Sequence, residues 1–187
     1  MTREQLEHLI RAAGEIADDD LVVIGSQAIL ATNPDAPSSL LVSMEADVYP
    51  QHDPDGARAV DAAMGDGSSF HDTYGYYAHG VGPETAKAPT SWEDRLIRID
   101  AEPRTRTQTR RSGWCLEAHD LMLAKLARGE ERDWEFVETS IREALVDVGV
   151  LRERSRSMPV AYRTLVVERL EGVIARAGTD PQGGNKA

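Results

Sequence analysis

Apolar positions recur at helical spacing near the start of the chain. Leu6, Leu9, Ile10, Ala13, Ile16 and Ala17 form one stripe across residues 2–17, and steps of three and four residues predict an amphipathic helix. Thr2 and Gln5 are placed to form its capping box. The run Leu21-Val22-Val23-Ile24 is continuously apolar, the pattern of a strand buried on both faces. It ends in Gly25-Ser26, after which residues 27–31 read as a short helix. Over residues 41–49 the pattern changes to strict alternation. Val42, Met44, Ala46 and Val48 point one way; Leu41, Ser43, Glu45, Asp47 and Tyr49 point the other. Period two predicts a strand with one apolar face, ended by Pro50. Asp53-Pro54 then reads as the cap and first position of a helix running to about Met64.

Residues 70–81 are rich in aromatics (Phe70, Tyr74, Tyr76, Tyr77) and read as one or two strands around a Gly75 turn. A further strand is expected over residues 92–99, and a short apolar one at Trp114-Cys115-Leu116. Helical periodicity dominates afterwards, at 118–128, 130–146, 150–156 and 159–177. The expected fold is α+β: a small mixed sheet of about four to six strands with helices packed on one face. A helical segment follows it. The expected division is an α/β core at 1–112, the helical segment at 113–178, and a flexible glycine-rich tail at 179–187.

Charge narrows the classes of function. The 187 residues carry a net charge of −11, 21 basic against 32 acidic. That argues against general duplex binding, which draws its affinity from basic surface, though not against a local basic groove. Arg104, Arg106, Arg110 and Arg111, interleaved with threonines, read either as an exposed hairpin or as a cluster that steers an anionic substrate. The single cysteine, Cys115, precludes an intramolecular disulfide and suits a reducing compartment; flanked by Trp114 and Leu116, it reads as a core thiol. No apolar run reaches the roughly 18 residues of a membrane span, and the N-terminus lacks a basic-then-apolar leader. No membrane association is expected, and the cytoplasm is the expected location.

Candidate chemistry centres on Glu45 and Asp47. On one face of a strand their carboxylates stand roughly 6–7 Å apart and repel each other unless a cation lies between them. They read as a metal site or as solvated surface. Gly25-Ser26 is the second candidate. The glycine lets a phosphate approach the backbone, and the helix start and Ser26 hydroxyl offer it donors; a plain turn with Ser26 as helix cap is the alternative. His71, Asp72 and His79 could also serve a metal-dependent hydrolase if they converge on Asp47. The acid run Asp18-Asp19-Asp20 reads as a solvated turn.

Taken together, Gly25-Ser26, the intervening helix and Glu45-Ala46-Asp47 resemble the signature of the nucleotidyltransferase superfamily, which has the polymerase-beta-like fold. Downstream, His119-Asp120-Leu121, Lys125-Leu126-Ala127, Gly129 and Arg132-Asp133 resemble the helical block of a bacterial nucleotidyltransferase-like family related to abortive-infection toxin–antitoxin toxins. The resemblance spans roughly residues 20–146. It implies Mg²⁺ held by Glu45 and Asp47, an NTP whose triphosphate rests on Gly25 and Ser26, and a support or substrate-contact role for Lys125, Arg132 and Asp133. It also implies a third carboxylate on a later strand; His79 occupies a candidate slot for it on the 76–81 strand, where this chain departs from the pattern, and Asp100 is the fallback. The implied activity is Mg²⁺-dependent transfer of a nucleotide to an RNA, protein or small-molecule acceptor. The alternative is an inactive member that acts as a nucleotide-binding module or with a cognate toxin–antitoxin partner. This chain departs from the pattern in having Glu45 as the first acid, where aspartate is usual, and Glu130 where a basic residue is usual.

Overall fold

A computed structural model describes residues 1–178; the tail expected at 179–187 lies outside the described residues. Two compact units emerge, one comprising Met1–Ala86 with Ser91–Glu117, the other Lys87–Thr90 with the chain from Ala118 onward.

The first unit opens with helix α1 (Arg3–Ala17), and the Thr2–Gln5 capping box forms as expected. Strand β1 (Leu21–Val23) follows, then β2 (Glu45–Pro50), helices α2 (Ala57–Met64) and α3 (Ser69–Tyr74), and strands β3 (Tyr77–Gly80), β4 (Ile97–Ala101) and β5 (Arg111–Cys115). The five strands form one mixed sheet in the order β3-β2-β1-β5-β4. β1 is antiparallel to β2 and parallel to β5, β2 is parallel to β3, and β4 is antiparallel to β5. This is the α+β fold expected from the sequence.

Register and pleat sort the sheet into two faces. Leu21, Val23, Ala46, Val48, Ala78, Ile99 and Cys115 lie on one face and are fully buried. α1 and α2 pack there, with Leu6, Leu9 and Ile10 of α1 at 0% exposure. Each such side chain contributes about 1.5–3 kcal/mol on burial. Burial also pushes the Cys115 thiol to about 12, which makes it a core group, as expected, and a poor nucleophile. The opposite face carries Glu45, Asp47, Tyr77 and His79 at one edge and Arg98, Asp100 and Ser112 at the other.

Four local expectations differ from the observed elements. β2 begins at Glu45 rather than Leu41, because the Ser43 carbonyl is taken by Gln27 Nε2 at 2.9 Å and not by a neighbouring strand. Val42 and Met44 are consequently 76% and 54% exposed. The aromatic stretch is half helix: Ser68 caps α3 by accepting from the His71 amide, and Gly75 closes it in the left-handed region at φ 74°. Only Tyr77–Gly80 is strand. Residues 92–99 split into a 3-10 turn, Trp92–Arg95, and β4. Asp53 caps no helix with its side chain; a 3-10 turn, Pro54–Gly56, precedes α2.

The acid run forms a turn, as expected, with Asp18 exposed, and its carboxylates also take partners. Asp19 accepts from the His52 and Asp53 amides, and Asp20 accepts from the Ser112 amide at 2.8 Å. Asp18 pairs with Arg111, whose stem lies against Gly14 of α1 and which is 9% exposed. Arg110 pairs with Asp100 and Glu102. Of the arginine cluster, Arg110 and Arg111 are thus neutralised in place. None of the helices among the described residues is long and apolar enough to cross a membrane.

The second unit contains α4 (Ala118–Arg128), α5 (Glu131–Arg142), α6 (Val148–Ser155) and α7 (Val160–Gly178). α4 has the bounds its periodicity predicts; α5 stops four residues short of Val146. Leu121, Leu126, Val137, Leu151, Val166, Leu170 and Val173 are buried.

Candidate functional site

The alternation of β2 turns Ala46 and Val48 into the core and leaves Glu45 and Asp47 on the other face. β3 runs parallel beside it with Glu45 opposite Tyr77 and Asp47 opposite His79. Four polar side chains therefore meet on one patch of sheet. The Tyr77 hydroxyl donates to Glu45 Oε2 at 2.9 Å. His79 Nδ1 lies 2.9 Å from Asp47 Oδ1. Donor atoms of Glu45, Asp47 and His79 all fall within 4.8 Å of one another, a grouping able to hold a metal ion.

Gly25 fixes one side of Asp47. A Cβ at Gly25 would stand 2.0 Å from Asp47 Oδ2 and 2.8 Å from its Cγ, so only glycine admits the carboxylate there. The backbones are tied as well, Ile24 N–H donating to the Asp47 carbonyl at 3.1 Å. The helix expected at 27–31 is a 3-10 turn, Ser26–Ala31, and it starts beside the carboxylate. Gln27 is fully buried within that turn. Its bond to the Ser43 carbonyl holds the residue whose Oγ accepts from the Glu45 amide at 3.2 Å. The Gly-Ser turn and the acid strand are thus built as one piece.

A cleft of about 290 Å³ opens on this patch, lined by Glu45, Asp61, Asp66, Tyr77 and His79. Asp61, from α2, accepts from the Gly80 amide at 3.1 Å, and Asp66 sits 3.1 Å from His71 Nδ1. Neither aspartate nor Tyr77 stands out in the sequence. The one signal that could have found Tyr77 is the alternation Tyr77-x-His79, which mirrors Glu45-x-Asp47. Burial, with the Glu45 carboxylate beside it, pushes the Tyr77 hydroxyl up to about 12, so it remains a donor at neutral pH. Tyr77→Phe is expected to loosen divalent-cation affinity about tenfold, the usual cost of losing a group that orients a ligand, with the melting temperature nearly unchanged. Calorimetric cation titration checks this; unaltered affinity would show that Tyr77 does not orient Glu45.

Of the remaining sequence candidates, His71 borders the cleft, with its ring 4.7 Å from that of Tyr77 and its Nδ1 3.1 Å from Asp66; the others do not line it. Asp100 sits on β4, three strand spacings or roughly 14 Å from β2, where it accepts from Ser112 Oγ and pairs with Arg98 and Arg110. His71 and Asp72 are on α3 and do not belong to the Glu45–Asp47–His79 group. Lys125, Arg132 and Asp133 belong to the helical unit. Lys125 Nζ is 3.3 Å from Asp133 Oδ1 and 4.2 Å from the Phe136 ring centre. Arg132 pairs at the surface with Glu130 at 2.8 Å.

A Gly-Ser turn locked against paired acids on a mixed sheet, with a helical block downstream, is a nucleotidyltransferase-like arrangement. Comparison with known families agrees: the chain belongs to the family described as nucleotidyltransferase of unknown function (DUF6036), whose model matches residues 3–171. No curated protein and no solved structure matches the chain.

Proposed function

We propose that the protein transfers a nucleotide from an NTP to an acceptor hydroxyl on an RNA, a protein or a small molecule, with Mg²⁺ at Glu45 and Asp47. One observation carries this reading: Glu45, Asp47 and His79 converge within 4.8 Å at the open cleft. Two carboxylates and an imidazole on one patch are a donor set for a divalent cation. Such an ion, when bound, neutralises charge on the triphosphate and on the reacting phosphoryl group.

The chain's own residues supply the positioning on which phosphoryl-transfer chemistry depends. Gly25 keeps Asp47 in place by leaving room for its carboxylate. Gly25 and Ser26 receive the triphosphate, as the resemblance implies. Tyr77 orients Glu45 through its hydroxyl. His79, hydrogen-bonded to Asp47, is the residue we assign to the third position of the site. Lys125 and Asp133 brace the helical block through their buried ion pair.

The test is incubation with NTPs labelled at the α-phosphate, together with RNA, protein and small-molecule fractions. Label is expected in one fraction with stoichiometric pyrophosphate, and chelation of divalent ions should abolish both. Release of free phosphate from the γ-position without α-label transfer would contradict the proposal. The histidine in the third position favours one second reading, a nucleotide-binding member that acts with a toxin–antitoxin partner. Cation-dependent NTP binding with no transfer to any fraction would select it.

A further inference from the structure

We propose that His79 contributes a nitrogen ligand to the cation at Glu45 and Asp47, and that the site therefore prefers Mn²⁺ to Mg²⁺. This rests on the metal-site reading above and adds to it a nitrogen donor. The sheet register is the first support. Asp47 and His79 are Cα partners in a parallel pair, so their side chains rise from the same face of adjacent strands. The second is exposure. The His79 side chain is 50% exposed while Asp47 beside it is 19% exposed, so the imidazole stands at the mouth of the cleft and is not a satisfied core histidine.

Spacing is the third support. Two donors each about 2.1–2.2 Å from an ion lie at most about 4.4 Å apart. The donor atoms here lie within 4.8 Å of one another, so shifts of a few tenths of an ångström gather all three around one ion. Neighbouring groups favour the arrangement. Tyr77 holds Glu45 from one side, and Gly25 leaves Asp47 Oδ2 the space it occupies. Asp61 and Asp66 on the cleft wall add negative charge that favours any divalent cation.

Donor chemistry then decides between ions. Mg²⁺ is hard, demands oxygen at near-ideal octahedral positions and gives up water reluctantly. Mn²⁺ accepts carboxylates equally well and, as a first-row transition ion, also binds imidazole. With Glu45, Asp47 and His79 as the donor set, one of three protein ligands is nitrogen rather than oxygen. That nitrogen penalises Mg²⁺ more than Mn²⁺.

Electron paramagnetic resonance of Mn²⁺ bound to the full chain, without nucleotide, tests this directly. The expected result is one bound Mn²⁺ whose echo envelope shows ¹⁴N modulation from a coordinated imidazole. In His79→Asp the modulation should vanish and the Mn²⁺-to-Mg²⁺ affinity ratio should fall roughly tenfold. Mn²⁺ that is lost in Asp47→Asn but shows no ¹⁴N coupling in the wild type would overturn the inference and leave the metal site standing. So would a ratio that does not change in His79→Asp. Binding of neither ion in a manner sensitive to Asp47→Asn would overturn both the inference and the metal-site reading. The wild-type spectrum alone decides the ligand question, whether or not the variants fold well.

Discussion

Gly25→Ala is expected to weaken divalent-cation affinity by about 100-fold, the upper end of what losing a supporting contact costs a metal site. The methyl group would arrive 2.0 Å from Asp47 Oδ2, 2.8 Å from Cγ and 3.0 Å from Cβ. Rotating the carboxylate relieves only the first of these contacts. The Cβ contact has to be relieved by the backbone, which is itself fixed by the bond from Ile24 N–H to the Asp47 carbonyl. Asp47 must therefore leave its place beside His79 and Glu45. A displacement of about 1 Å is enough to cost roughly two orders of magnitude in a transfer rate as well. Because Asp47 faces the open side of the sheet, the fold itself should survive with a melting temperature lowered by only a few degrees. Calorimetry with Mn²⁺ or Mg²⁺, alongside a thermal melt, checks both halves. Wild-type affinity in a folded Gly25→Ala protein would show that the close approach has no bearing on the site.

The second large effect is on stability. Asp133→Ala is expected to destabilise the protein by about 3–5 kcal/mol, the usual cost of orphaning a buried charge. Asp133 is 0% exposed and receives Lys125 Nζ at 3.3 Å, Arg128 Nε at 2.7 Å and the Glu130 amide at 3.2 Å. Lys125 is itself 7% exposed and cannot turn to water, whereas Arg128 at 41% can. At roughly 2–4 °C per kcal/mol for a chain of this size, the melting temperature should drop by about 6–20 °C. The double replacement Lys125→Met with Asp133→Leu should recover most of the loss, since an apolar pair of similar volume replaces a buried ion pair at little net cost.

The same aspartate predicts a pH response. Burial alone would raise its pKa, but the bonds from Arg128 and Lys125 outweigh burial and hold the carboxyl below the usual range. A carboxyl with a depressed folded-state pKa stabilises the fold above its unfolded value and loses that contribution as pH falls through the folded one. Stability should therefore decline below about pH 4. The decline should be shallower in Asp133→Asn. Urea melts across pH 2–7 test this; identical slopes in wild type and variant would contradict it.

Much of the fold was legible because it rests on local signals. The stripe and capping box of α1, the apolar run of β1 and the periodicity of α4 each dictate their element without help from distant residues. Gly25, Glu45 and Asp47 were legible for the same reason, since pleat alone puts the two acids on one face. What could not be read depends on non-local pairing. The parallel pairing of β2 with β3 alone tells that Tyr77 meets Glu45 and His79 meets Asp47. Asp100 could not be excluded locally either: it ends on the far edge because β5 returns beside β1 and carries β4 outward. The aromatic stretch misled for a physical reason. Phe70, Tyr74 and Tyr76 gather around His8 of α1, so contacts with another helix, together with the Ser68 cap and the Gly75 turn, override the strand propensity of those residues.

The site itself, a cation held at Asp47 for a nucleotide, is tested most directly by NTP binding to wild type and Asp47→Asn, each with and without divalent cation. Tight binding is expected only by the wild type with cation present, with loss of that cation dependence in Asp47→Asn. Equal NTP binding by both proteins, indifferent to cation, would contradict it.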